Sequence, residues 1–231
     1  MIMLRHLLAL PLLLLVAAAT TKADPIIVTF DSATAPDPLG GYVMTEFDTP
    51  LIPSSGCGNW TDGVYSTASP ISGDVQFMEQ GGTTPLCMSV QDPDWWEWDH
   101  GNVFTTHVAW VELIMPTDTR AFSFWVGSNM TGRGWIEAID SDTHTTVTYF
   151  GGNTGIDLGP GSTPGFGAYS PDSCGAITKI IIEPFEWGTG NFAINQDPCV
   201  TVSEPPSLFL LGLGLLAMAF VGRRRVPQPT V

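Results

Sequence analysis

Between residues 24 and 204, apolar positions fall in short β-branched and aromatic runs separated by Gly, Pro, Asn and Asp, and no stretch sustains helical spacing over ten residues or more. Such runs predict strands at 26–30, 42–47, 74–78, 86–90, 103–115 with room for a break, 121–126, 135–140, 145–150, 176–183 and 191–195. Alternation is sharpest in 121–126, where Phe122, Phe124 and Val126 share one face and Ala121, Ser123 and Trp125 the other. Pro116-Thr117-Asp118-Thr119 reads as the turn that leads into this strand, and 151–167, rich in Gly and Pro, as the longest loop. About ten short strands joined by turn signals predict an all-β body, an antiparallel β-sandwich of jelly-roll kind. There is no internal repeat.

The two ends follow a different pattern. Residues 1–23 place Arg5 and His6 before the apolar run 7–16 and close on small residues through Ala19 and Ala23. This is the three-part order of a secretory signal peptide, with cleavage after Ala19 or before Asp24. An uncleaved membrane anchor is the alternative, and the shortness of the run counts against it. Near the other end, residues 208–221 are apolar apart from Gly212 and Gly214, and Arg223, Arg224 and Arg225 follow Gly222. As a helix this run would be about 21 Å long, shorter than the roughly 30 Å hydrocarbon core. Length alone would suit a buried core helix. Three adjacent arginines have no place in a core, however, whereas they can snorkel to cytoplasmic headgroups and leave the body on the far side of the membrane. The expected organisation is a signal peptide at 1–23, a β-sandwich ectodomain at 24–202, a sorting segment at 203–225 and a tail at 226–231. Within the sorting segment the motif is 203–206, the transmembrane helix 207–222 and the Arg cluster 223–225.

Charge separates the body from these ends. All 23 acidic residues of the chain lie between Asp24 and Glu204, against Arg120, Arg133 and Lys179, so residues 24–204 carry a net of −20 where the whole chain carries −15. Such a surface repels nucleic acid, which is bound by neutralising phosphates. The four cysteines, Cys57, Cys87, Cys174 and Cys199, all fall in the body, an even number suited to an oxidising compartment. Of the three possible pairings, the preferred one closes the nearest pairs, Cys57 with Cys87 and Cys174 with Cys199. A zinc site is the alternative, without a C-x-x-C pair or clustered His to support it.

Ser203-Glu204-Pro205-Pro206, a short apolar helix and a terminal Arg cluster together closely resemble the PEP-CTERM sorting signal. Ser203 stands where the first Pro is usual, and 226–231 extends past the Arg cluster. The resemblance implies recognition by an exosortase, an integral-membrane, cysteine-protease-like enzyme of Gram-negative bacteria that make extracellular polysaccharide. It also implies that Glu204 and Pro205 form the recognition core, with transient anchoring in the inner membrane and outward release or transfer of the body. The strand succession of the body resembles the jelly-roll ectodomains common among PEP-CTERM proteins.

Candidate chemistry in the body is sparse. In Asp92-Pro93-Asp94-Trp95-Trp96-Glu97-Trp98-Asp99-His100, aromatic faces stand beside carboxylates, the combination that stacks on sugar C–H faces and accepts hydroxyl protons. Trp95, Trp96 and Trp98 are therefore candidate glycan contacts, although such rings also fill sandwich cores. No cofactor is expected beyond a structural calcium, for which Asp31, Asp37, Asp140, Asp142 and Asp157 near strand ends could supply oxygens; the same residues also serve as turn formers. No G-x-S-x-G, H-E-x-x-H, phosphate-loop or dinucleotide pattern occurs, and His100, His107 and His144 are scattered. The expectation is a non-catalytic structural or adhesive protein of the cell surface or biofilm matrix, associated with extracellular polysaccharide. A dedicated carbohydrate-binding module is the runner-up and a secreted glycan hydrolase the third reading.

Overall fold

The computed structural model describes residues 22–30, 35–47, 57, 63–91, 103–106, 108, 110–128, 133–151, 154, 164–172, 174–183 and 187–198. The chain divides into one unit, Met1–Pro198, and a second, Cys199–Val231, which lies outside the described residues. The first unit is all-β, with no helix among the described residues. Its strands are β1 (Ile26–Phe30), β2 (Thr45–Phe47), β3 (Gly63–Val64), β4 (Ser66–Ala68), β5 (Asp74–Met78), β6 (Met88–Gln91), β7 (Val103–Thr106) and β8 (Val111–Ile114). They continue as β9 (Ala121–Ser128), β10 (Gly134–Asp140), β11 (Thr145–Phe150), β12 (Gly165–Tyr169), β13 (Ile177–Glu183) and β14 (Trp187–Asn195).

Two antiparallel sheets result. One is eight-stranded in the order β1-β12-β9-β14-β7-β6-β3, with β2 added to β14, and the other is six-stranded in the order β11-β10-β13-β8-β5-β4. From β7 onward the pairing is nested: β10 pairs β11, β9 pairs β12, β8 pairs β13 and β7 pairs β14. Cross-pairs β10·β13 and β9·β14 join these hairpin arms into the two sheets. The last strand, β14, is thus interior to its sheet and not an edge.

One hydrophobic cluster holds the sheets together. Phe104, Phe122, Phe124, Phe166 and Phe192 from the larger sheet meet Phe77, Leu113, Ile136, Phe150 and Ile180 from the smaller one. Ring contacts cross between the sheets at Phe77–Phe104 (5.0 Å) and Phe150–Phe166 (6.0 Å), and Phe104 stacks on Phe192 at 5.5 Å with ring planes 3° apart. Each such pair adds about 0.5–1.5 kcal/mol beyond its area burial. The alternation expected in β9 is observed: Phe122, Phe124 and Val126 enter this core. Its other face is buried too. Trp125 packs with Ala35, Val103 and Phe30, and Ala121 with Leu39, Met44 and Ala193, so the segment after β1 covers the larger sheet from outside.

The 103–115 run divides into β7 and β8, the break for which its pattern left room. Other boundaries differ from those expected: β2 begins at Thr45 and not at 42, and β3 and β4 are too short to carry a periodic signal. The proposed loop 151–167 overlaps β12, which starts at Gly165. Glycine is present there for closeness and not for a turn: a Cβ at Gly165 would fall on the Phe30 ring, and one at Gly167 would lie 2.9 Å from the Leu39 methyls. Turn chemistry is as read at Pro116–Thr119, where Asp118 adopts a φ of 63° and the Thr119 hydroxyl donates to the Pro116 carbonyl. The expected Cys57–Cys87 bridge is present, with Cα atoms 5.7 Å apart. Cys174 is disulfide-bonded as well, while Cys199 lies outside the described residues.

Gly165→Ala should lower stability by about 1–3 kcal/mol through overpacking. Gly167→Ala, which meets the Leu39 methyls and, at 3.3 Å, a Val28 methyl, all ends of movable side chains, should cost less; urea unfolding midpoints of the two variants check the order.

Candidate functional site

The outer face of the six-stranded sheet is where the body meets solvent with unusual chemistry. In β10 the even positions Gly134, Ile136, Ala138 and Asp140 are buried, which leaves Trp135, Glu137 and Ile139 on the opposite face. Register aligns Trp135 with Tyr149 of β11 on one side and with Glu183 of β13 on the other. Glu137 lies between Val147 and Ile181 in the next row. Trp110, just before β8, meets Trp135 edge to face at 5.0 Å and 89°. Its indole Nε1 is buried without an acceptor among the described residues. Tyr149 is 64% exposed and Val147 40%. A cleft of about 360 Å³ opens beside the Tyr149 ring, lined by Arg133, Gly134, Phe150, Gly151 and Thr154.

Farther along the same face, Glu112 is buried and fully engaged. It accepts from Lys179 Nζ at 2.6 Å and from the Gly81 amide at 2.7 Å, which ties the β5–β6 connection to the sheet. Glu137 and Glu183, by contrast, have no hydrogen-bond or ion-pair partner among the described residues.

The second notable region is the point where the chain leaves the body. Arg120 is 2% exposed, yet its only carboxylate partner among the described residues, Asp118 at 3.3 Å, is itself largely solvated. The guanidinium is satisfied instead by carbonyls, Gly175 at 2.6 Å and Asp197 at 3.1 Å, while the Arg120 amide donates to the Asn195 carbonyl. Asn195 Nδ2 donates to the Val43 carbonyl and to Asp197 Oδ2, both at 2.9 Å. Gln196 donates to the carbonyls of Ser72 (3.0 Å) and Thr117 (2.9 Å) and accepts from the Ser69 hydroxyl. Nearby, the Tyr42 hydroxyl donates to the Ser170 carbonyl at 2.9 Å, and burial pushes its ionisation above the usual tyrosine range. Residues 195–197 are therefore bonded to three separate segments, at Val43, at Ser69–Ser72 and at Thr117–Arg120, just before the first unit ends at Pro198.

Among the sequence candidates, Asp140 is a turn former. Its Oδ1 accepts from the amides of Asp142 and His144, and its Oδ2 lies 3.2 Å from His144 Nδ1. Asp142 pairs with Lys22 at 2.6 Å, and Asp37 accepts from the Met44 amide. No three metal-ligating side chains converge among the described residues. Trp95, Trp96, Trp98, His100, His107, Asp31, Asp157 and the segment from Ser203 to Arg225 lie outside the described residues. No described helix is long and apolar enough to cross a membrane. The Tyr149–Trp135–Glu183 row was not singled out in the sequence, because parity groups residues only within a strand, whereas this row is a register across β11, β10 and β13.

An all-β body that ends at a bonded exit, followed at once by a short Pro-containing apolar segment with terminal arginines, defines an exported protein with a C-terminal sorting signal. Residues 201–225 match the family model of the PEP-CTERM protein-sorting motif. The chain therefore carries this motif, which marks it for exosortase-dependent export and sorting to the cell surface. No curated protein matches the chain.

Arg120→Met should destabilise the body by about 2–4 kcal/mol, because several buried acceptors lose their donor. Calorimetry should also show that Arg120→Lys recovers only part of this, since an ammonium cannot reproduce the planar fork. For Tyr42, a raised folded-state pKa means that its contribution is complete below about pH 10 and is lost as pH rises through the raised value. Unfolding titrations of Tyr42→Phe should accordingly decline less steeply above pH ~10 than those of the wild type.

Proposed function

We propose that the chain is a secreted surface or matrix protein of a Gram-negative bacterium, whose body is a non-catalytic structural and adhesive module associated with extracellular polysaccharide. The observation that carries this reading is the position of the sorting motif, which begins at residue 201, directly after the bonded exit at 195–198. In this reading 1–23 is a cleaved signal peptide and 207–222 a transient inner-membrane helix with Arg223, Arg224 and Arg225 in the cytoplasm. Exosortase acts near Glu204 and Pro205, and the body then leaves the membrane.

The body is read as a jelly-roll β-sandwich. The nesting of β7·β14, β8·β13 and β9·β12 around the β10·β11 hairpin supports it, as does the single core shared by both sheets. A non-catalytic role is supported by the engagement of the buried carboxylates Glu112 and Asp140 in structural bonds. The reading requires no cofactor. A dedicated carbohydrate-binding module is the second reading, favoured by the exposed Tyr149 of β11 aligned with the half-buried Trp135 of β10.

Changing Glu204 and Pro205 together to Ala tests the sorting step. The variant should accumulate as an unprocessed form in the inner membrane, visible by fractionation and immunoblot; release at the wild-type level would contradict it.

A further inference from the structure

We propose that the outer face of the β11-β10-β13-β8 sheet, centred on Tyr149 and Trp135, is a contact surface for an uncharged glycan chain. This inference rests on the reading of the body as a polysaccharide-associated module and assigns that association to a site.

Three observations carry it. The first is the order of groups across the strands: Tyr149, Trp135 and Glu183 are register partners, and Trp110 meets Trp135 edge to face. Neighbouring strands are ~4.8 Å apart, so the row from β11 to β8 is about 14 Å long, a length that accommodates a few pyranose rings. Trp110 fixes the orientation of the Trp135 ring, which removes an entropy cost that a free ring would bring to binding. The second is the pairing of ring with acceptor. Glu183 and Glu137 lie beside the rings and have no partner among the described residues, so their oxygens are available to sugar hydroxyls. The cleft lined by Tyr149 also includes Arg133, a donor.

The third observation concerns charge, and it selects the class of glycan. A body of net −19 over residues 24–202, with carboxylates inside the row, disfavours uronate-rich or phosphorylated polymers, and it disfavours an anionic membrane surface equally. A protein partner is a poor match as well. Tyr149 and Val147 are the large apolar side chains exposed on β11, and Glu137 and Glu183 stand on the same face, whereas charged residues are depleted from the centre of a stable protein interface. A ring flanked by free acceptors fits a polymer of neutral hydroxylated sugars.

The test uses the mature, processed protein recovered from producing cells, run in native gels containing hydroxyethylcellulose, β-1,3-glucan or xyloglucan, with polygalacturonate as the anionic comparison. Retardation is expected with at least one neutral polymer and not with polygalacturonate. Tyr149→Ala, at an exposed position and with an unchanged melting temperature, should weaken that affinity about tenfold, and Tyr149→Phe should retain most of it. Three results would each overturn the site. They are absence of retardation by every neutral polymer, equal affinity in Tyr149→Ala, and loss of affinity only when Trp95, Trp96 and Trp98 are changed to Ala. Co-sedimentation with the native extracellular matrix separates this failure from that of the broader reading. Protein that still co-sediments without the site leaves polysaccharide association standing, and protein that does not removes both.

Discussion

The position of β14 is the constraint on which the body depends. It is the last strand, yet it pairs with β9 and β7 in the interior of the larger sheet and also receives β2. Phe192 and Ile194 from this strand enter the common core, where Phe192 contacts Phe47, Phe104 and Phe122. Without β14 the larger sheet would separate into two pieces with open edges and an exposed aromatic layer, a combination that invites aggregation. The core therefore closes only when residues up to Asn195 are in place. Buried Arg120 then fixes the last turn of chain by holding the carbonyls of Gly175 and Asp197.

This closure lies immediately before the sorting motif. Because residues 195–197 are bonded into the body and the motif begins at 201, the folded unit and the processing signal are adjacent but distinct in chemistry. One is acidic and closed by carbonyl and amide bonds; the other is apolar and basic. Removal of the second leaves no strand of the first unpaired, because β14 is complete at Asn195. The two sheets also differ in use. The larger is covered on its outer side by the segment around Ala35, Leu39 and Met44, whereas the smaller keeps Tyr149 and Val147 in solvent. The face proposed for glycan contact accordingly belongs to the smaller sheet.

Local patterns carried much of this structure. The bounds of β1, β5 and β11 and the two faces of β9 were readable because β-branched and aromatic runs with alternation act within a few residues. β12 was not readable, since Gly-Phe-Gly-Ala-Tyr looks like loop sequence until Phe30 and Leu39 are packed over its glycines. The site was legible only in part. Parity placed Trp135 with Glu137 and Tyr149 with Val147, but the alignment of Tyr149 with Trp135 and Glu183 is a register between strands, which no single run encodes. Local density of tryptophan drew attention to Trp95, Trp96 and Trp98 instead. Arg120 was equally hidden, because its partners are mostly main-chain carbonyls that carry no sequence signature.

The central claim is that a closed acidic body is delivered outside the cell and that the apolar, basic ends do not remain with it. Intact-mass measurement of the protein recovered from the extracellular fraction tests this most directly. The account predicts a chain that starts at Thr20 or Asp24 and ends upstream of Leu208, with both disulfides formed. A full-length chain that retains residues 208–225 in that fraction would contradict it.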